Sequence, residues 1–205
     1  MRIVAEYDRA TVRGNGCGGV EAGGSMFVNS GGAPVNLGGE THPHLHLYGF
    51  DIYRFPLEGY DAGNGPNLPA PEVIFTAEGE HDSHGMAEVD GHLWVMDRHA
   101  DVAEVFGVAT GEHLRTVALN GALTDNAAPD LVDRSPDGRL LLVALRGPTP
   151  LTGDPHNATG STPGLGIIRV EAGGAQGELV AIAPVSNRHE GTEYGDPHAV
   201  RVRWR

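Results

Sequence analysis

Four residues with ligand chemistry stand at matching positions of a sequence unit that recurs along this 205-residue chain. They are Cys17, His84, Asp130 and His198. Thiolate, imidazole and carboxylate are the groups that transition metals bind in proteins. If the units align in space, these side chains approach one another and predict a site for a divalent metal ion or a polar ligand. Asp82, two residues before His84, is a further carboxylate for that site.

A second group of histidines, His42, His44 and His46, alternates with other residues in one short segment. Alternation in an extended chain places all three side chains on one face, where a pair of imidazoles suits Zn, Cu or Ni. Pro43 and the glycine-rich flanks equally fit an exposed loop without a binding role. Both interpretations stay open, so this segment is a second candidate metal site.

The sequence offers no local catalytic triad. The run from His81 to His84 contains Asp82 and Ser83, but neighbours on a strand point to opposite faces, whereas a triad needs converging side chains. The G-x-S-x-G turn of a nucleophilic serine is absent too. We therefore predict no catalytic residues in this chain.

The elements that must position the candidate residues are short strands in groups of four. In the clearest copy the strands are separated by Asp90-Gly91, by a polar segment and by Thr110-Gly111. The unit recurs along the chain, and repetition at a fixed period is typical of a propeller. The sequence predicts an all-β fold, a β-propeller segment of about three four-stranded blades plus a partial strand at each end. The predicted single domain covers 1–205, with blades at 14–78, 82–120 and 128–185 and lone strands at 2–7 and 198–204.

Two insertions, 31–49 and 147–164, interrupt the strand rhythm between the second and third strands of a blade. Loops of that length are usually functional or mobile. The run from Leu140 to Val143 is apolar on both faces, as expected for a blade packed between neighbours. Trp94 lies inside another apolar strand and is assigned to the core.

Composition limits the partners. The formal charge is −13 and all 14 basic residues are arginine, so the surface repels the phosphates of nucleic acids and anionic membranes. No apolar run approaches the roughly 18 residues of a membrane-spanning helix. The first residues do not form a signal peptide, and a lone Cys17 excludes an internal disulfide. A secreted or periplasmic location stays open.

A complete propeller has about 4–8 blades. Three blades with partial strands at the ends therefore predict either a piece of a longer propeller or chains that self-associate through exposed blade edges. The first alternative is the simpler one.

The unit resembles the YncE-like, YVTN-type β-propeller proteins, which border on the seven-bladed lactonase-like propellers. The resemblance covers most of the chain from Asn15 onward, except the insertions. The residues that carry it are Asp82-Ser83-His84-Gly85-Met86, Asp196-Pro197-His198, Asp90-Gly91-His92-Leu93-Trp94-Val95-Met96-Asp97, Pro136-Asp137-Gly138-Arg139-Leu140-Leu141-Leu142-Val143, and Val105-Phe106 with Thr110-Gly111-Glu112. The middle blade departs from this pattern, since it opens with Pro129-Asp130.

The resemblance is specific for fold and unspecific for activity. We predict a scaffold that binds a small molecule or a protein at the channel mouth, without complete catalytic machinery. One alternative is a lactonase-like hydrolase whose channel-bound metal ion polarises a lactone carbonyl and activates water. The other is a copper or redox propeller that uses His84, His198 and the histidine-rich insertion. Against any site, polar residues at these positions could simply line a water-filled channel.

Overall fold

The computed structural model describes residues 3, 5–13, 15–31, 34–35, 46–47, 49–60, 68–149 and 159–203. The predicted metal ligands His42 and His44 lie outside these residues, and only the backbone of His46 is described. The histidine-rich insertion therefore stays a prediction. No helix in the described ranges is long and apolar enough to cross a bilayer.

The protein is all-β, and its three main sheets each contain four antiparallel strands in chain order, which confirms the predicted fold class. The first sheet, blade 1, begins with a hairpin that turns at Gly23 and Gly24. Both glycines have positive φ, as a tight hairpin turn requires. Its strands are β1 (Asn15–Ala22), β2 (Ser25–Gly31), β5 (Phe50–Pro56) and β6 (Glu72–Ala77). The first insertion begins and ends with a short antiparallel pair, β3 (Pro34–Val35) and β4 (His46–Leu47).

Blade 2 contains the clearest copy of the repeat. Its first hairpin turns at Asp90 and Gly91, where φ is 47° and 80°, as the Asp-Gly pair predicts. The strands are β7 (Ser83–Val89), β8 (His92–Asp97), β9 (Val102–Gly107) and β10 (His113–Ala118).

Blade 3 carries the second insertion between its second and third strands. Its strands are β11 (Pro129–Arg134), β12 (Leu140–Leu145), β13 (Gly164–Glu171) and β14 (Gln176–Pro184). A 3₁₀ turn at Ala172–Gly174 joins the last two. A small hairpin, β15 (Arg188–His189) and β16 (Thr192–Glu193), follows and was not predicted from the sequence. The three sheets fall within the predicted blade ranges.

The core consists of two apolar layers, one at each junction between successive blades. Blade 2 contributes alternate residues to both layers, as a sheet packed between two neighbours must. Leu93 and Val95 face blade 1, whereas Trp94 and Met96 face blade 3. Trp94 is fully buried, and its indole Nε1 donates to the Gly174 carbonyl at 2.8 Å, so its assignment to the core is confirmed.

The first strands of the three blades lie side by side, β1 against β7 and β7 against β11, and glycines allow this approach. A Cβ on Gly18 of β1 would lie 2.7 Å from the carbonyl oxygen of His84 on β7. A Cβ on Gly85 of β7 would overlap the backbone of Asp130 on β11. The C-terminal segment lies next to the first strand of blade 3, because the Leu131 amide donates to the His198 carbonyl at 3.3 Å.

The predicted lone strands differ from the structure. Residues 3 and 5–7 form no strand, and Tyr7 instead packs on Phe55 and donates its hydroxyl to the Pro69 carbonyl at 2.6 Å. Residues 198–203 run beside β11 without a strand ladder. In this segment, single contacts such as that of the Val202 amide with the Asp133 carboxylate, at 2.9 Å, replace regular backbone pairing.

Candidate functional site

Irregular pairing sets the direction of the candidate side chains. Each first strand shifts register against the second strand of its blade at the predicted ligand position. Cys17 lies in the shift of β1, His84 in that of β7 and Asp130 in that of β11. A β-bulge re-aims the side chains that it contains. The strand alternation of the sequence therefore does not predict which of these side chains meet.

Asp130 is the centre of the site and is fully buried. Its Oδ1 accepts from the His84 Nδ1. Its Oδ2 accepts from Arg146 Nη1 at 2.5 Å and from Arg98 Nη1 at 3.4 Å. Burial by itself would raise the pKa of Asp130, but the hydrogen bond and charge of His84 and the two guanidinium groups together lower it. The group is therefore a carboxylate near neutral pH.

Two arginines hold the cluster together, and sequence reasoning missed both. Arg98 and Arg146 each follow the second strand of their blade. Arg98 Nε donates to Asp82 at 2.5 Å, and Arg146 forms a bidentate pair with Asp196 at 2.7 and 2.8 Å. The available signal was an arginine directly after a buried strand at the same place in two units.

Arg146 is completely buried. Although burial disfavours its charge, the bonds to Asp196 and Asp130 raise the pKa of the Arg146 guanidinium. The group therefore stays charged in the interior, and its interactions with the carboxylates compensate for lost hydration.

The histidines provide the solvent-facing side of the cluster. The His84 and His198 rings meet edge to face with centroids 5.0 Å apart. His84 is 13% exposed and His198 43%, and the His198 Nε2 lies 3.7 Å from Asp130 Oδ2. The pKa of His198 is lowered, mainly because burial disfavours the charged ring. The positive groups nearby lower this pKa further, whereas the negative charge of Asp130 raises it.

The structure brings together three of the predicted site residues. One potential ligand atom from each of His84, Asp130 and His198 lies within 4.8 Å of the others. Among the described residues, this group includes neither Cys17 nor Asp82. Cys17 is half-buried in β1, and Asp82 is buried against Arg98. The structure thus separates the predicted ring into a compact cluster and two neighbouring positions.

Asn29 supports the cluster from blade 1, another residue that sequence reasoning missed. Its side-chain oxygen accepts from the Gly18 amide at 2.6 Å, and its nitrogen donates to Ser83 Oγ at 2.6 Å and to the His84 carbonyl at 2.8 Å. Ser83 is fully buried. Its hydroxyl therefore serves the junction between blades and is not an exposed nucleophile.

The electrostatics of the cluster are nearly balanced. Three carboxylates, those of Asp82, Asp130 and Asp196, face the two guanidinium groups. With neutral histidines, one net negative charge remains. The three buried carboxylates are each paired with Arg98 or Arg146. The partly exposed imidazoles are therefore the groups that can contact a ligand.

A concavity of about 380 Å³ lies between the first strands and the C-terminal segment. The first strands and the C-terminal segment line it, through residues that include Gly18, Met86, Leu131, Ala199 and Arg201. Gly18, Leu131 and Ala199 each directly follow a predicted site position. Polar and apolar surface line this concavity in similar parts, and its described lining does not include His84, Asp130 or His198.

Comparison with known proteins gives a likeness in structure alone. No family model matches the chain, and no curated protein matches it. A solved structure from Bacteroides uniformis, described as a candidate 6-phosphogluconolactonase, aligns with a TM-score of 0.48 and 14% sequence identity. The alignment covers 86% of this chain and 57% of that one, so the present chain spans little more than half the length of its structural neighbour.

Proposed function

We propose that the protein is a ligand-binding β-propeller module whose ligand contacts His84 and His198. One observation carries the proposal: two partly exposed imidazoles, those of His84 and His198, stand at one buried carboxylate. Strand β7 positions His84, whereas His198 belongs to the C-terminal segment that runs beside β11. As part of the proposal, we assign the module to the YncE-like type that its repeat resembles.

Binding explains the described groups better than covalent catalysis does. The Ser83 hydroxyl is buried, and the described cluster has no hydroxyl nucleophile hydrogen-bonded to either histidine. Nucleophilic catalysis requires a nucleophile within hydrogen-bond reach of its base. The acidic surface also favours a small or uncharged ligand over a polyanion.

The test is ligand-observed NMR with a library of small polar compounds, applied to the whole chain. We expect bound compounds to lose their signal in a His84→Gln/His198→Gln double variant. The matched control is His189→Gln, because His189 is an exposed histidine in the hairpin strand β15. Compounds that bind the double variant as well as the parent protein would contradict the proposal.

A metal-assisted hydrolase is the second candidate function. The observation in its favour is the closeness of imidazole, carboxylate and imidazole ligand atoms, within 4.8 Å. A bound ion there would supply Lewis acidity and lower the pKa of a bound water. Lactone hydrolysis that a chelator abolishes, and that His84→Gln also abolishes, would favour this function. Binding without turnover would favour the scaffold.

A further inference from the structure

We infer that His84 and His198 form a site for one borderline transition metal ion, such as Zn²⁺ or Cu²⁺, in which Asp130 orients a ligand without itself touching the ion. The inference rests on the proposed function, because it names the class of ligand that the same two imidazoles bind. It differs from the sequence-based prediction, in which Asp130 was a ligand.

The separation of the rings fits one shared ion. Zinc binds imidazole nitrogen at about 2.0–2.1 Å with tetrahedral angles, which places the centroids of two coordinating rings about 5 Å apart. The His84 and His198 centroids are 5.0 Å apart, at an interplanar angle of 69°. Both rings also reach solvent, so an ion has access to them.

Asp130 is already committed to other partners. One oxygen accepts from His84, and the other accepts from Arg146 and Arg98. An ionised Asp130 favours the tautomer in which the neutral His84 ring donates from Nδ1, which also lies 3.5 Å from Arg98 Nη1, and the lone pair is then on Nε2. Metal-binding histidines commonly donate their other ring nitrogen to a carboxylate, which fixes the tautomer and makes the ligand more basic.

The same commitments predict selectivity. Calcium takes about 6–8 oxygen ligands, and magnesium also requires oxygen ligands in a regular geometry. The carboxylates of Asp82, Asp130 and Asp196 are buried and bonded to arginine, so they are not available as such ligands. Imidazole nitrogen suits zinc, copper and nickel. The one net negative charge of the cluster tolerates a cation despite the two guanidinium groups.

Two imidazoles leave coordination positions on the ion for water or for a small molecule. Such an ion would join the polar cluster to that molecule, and it would give the module a metal-dependent binding mode. Sites with an open position are the ones at which an ion can engage a further ligand.

The experiment measures stoichiometry and affinity for zinc alone and for copper alone, with the full chain, by equilibrium dialysis and calorimetry. The variants are His84→Gln and His198→Gln, with His189→Gln as the control. The triple variant His42→Gln/His44→Gln/His46→Gln separates metal binding by the insertion from metal binding by the cluster. We expect one equivalent to disappear in each cluster variant and to persist in the control and the triple variant.

Two further readouts test the arrangement itself. The copper-loaded protein should show nitrogen hyperfine coupling from imidazoles, and each single cluster variant should remove it. Asp130→Asn should weaken zinc binding by about 10–100-fold without changing stoichiometry. If that variant does not fold, the paramagnetic spectra of the two histidine variants decide alone.

Several outcomes would overturn the inference. They are unchanged stoichiometry in His84→Gln, loss of the ion only in the triple variant, or displacement of zinc by equimolar calcium. If zinc does not bind but small compounds still require His84, the metal inference fails and the proposed function stands. If neither binds, both fail.

Discussion

Asp130 and Asp51 are two buried carboxylates with different uses. Asp51 is 2% exposed and accepts from Arg13 at 2.5 and 2.6 Å, from Thr76 at 2.7 Å and from Tyr53 at 2.9 Å. The bonds from Arg13 attach the N-terminal segment to blade 1. Asp130 instead joins groups from blades 2 and 3, and two histidines beside it reach solvent.

The comparison shows that burial and pairing do not by themselves mark a functional carboxylate. Both groups have a lowered pKa against the cost of burial, because hydrogen bonds and positive charges favour their ionised forms. They differ in what their partners expose. The partners of Asp51 connect the N-terminal segment and the strands of blade 1, whereas the imidazoles beside Asp130 expose ring atoms that a ligand can reach.

Removal of the Asp130 carboxylate should produce the largest effect. In Asp130→Ala, the fully buried Arg146 loses one of its two described carboxylate partners, and removing one member of a buried ion pair costs about 3–5 kcal/mol. Chemical denaturation measures the loss in the free energy of unfolding. A loss below about 1 kcal/mol, the range of surface pairs, would show that the cluster does not support the junction between blades.

Gly85→Ala tests the approach of the first strands beneath the same cluster. The new Cβ would overlap the backbone of Asp130, and overpacking of this kind costs about 1–3 kcal/mol. Gly16→Ala is the matched control, since its Cβ would meet its nearest neighbour at 3.8 Å. Denaturation of both variants should separate them. Equal losses would argue against close packing at Gly85.

Asp51→Ala should cost less than Asp130→Ala. The partner Arg13 is 52% exposed, so its charge can return to water when the carboxylate is removed. The lost hydrogen bonds predict about 1–3 kcal/mol by denaturation. Zinc binding should not change in this variant. A loss as large as that of Asp130→Ala would remove the distinction between the two carboxylates.

The dependence of stability on pH should show the smallest effect. The pKa of Asp51 is lower in the folded state, so its contribution is complete above the ordinary carboxyl pKa of about 4 and declines as the pH falls through the folded value. The difference in unfolding free energy between parent and Asp51→Asn should therefore shrink with acidification. Asp125→Asn, at an exposed site, is the control. A difference that grows with acidification would contradict the assignment.

The fold was largely predictable because its signals are local. Asp90-Gly91 specifies a tight turn, and the apolar strands around Trp94 specify a sheet covered on both faces. The site was predictable only in part. Matching positions identified His84, Asp130 and His198, but the same argument also included Cys17, which lies outside their group. Arg98 and Arg146 share a position directly after the second strand of their blade, but that position does not predict which carboxylates they bind.

The sequence by itself determined the strand units, their turns and the order in which candidate ligands recur. These features depend on residues near one another in the chain, through turn conformation and hydrophobic patterning. Only the tertiary structure decided that Asp130 receives arginines from two blades and that His198 stands beside His84. Bulges and the close approach at Gly85 set those directions, and they depend on packing between distant segments.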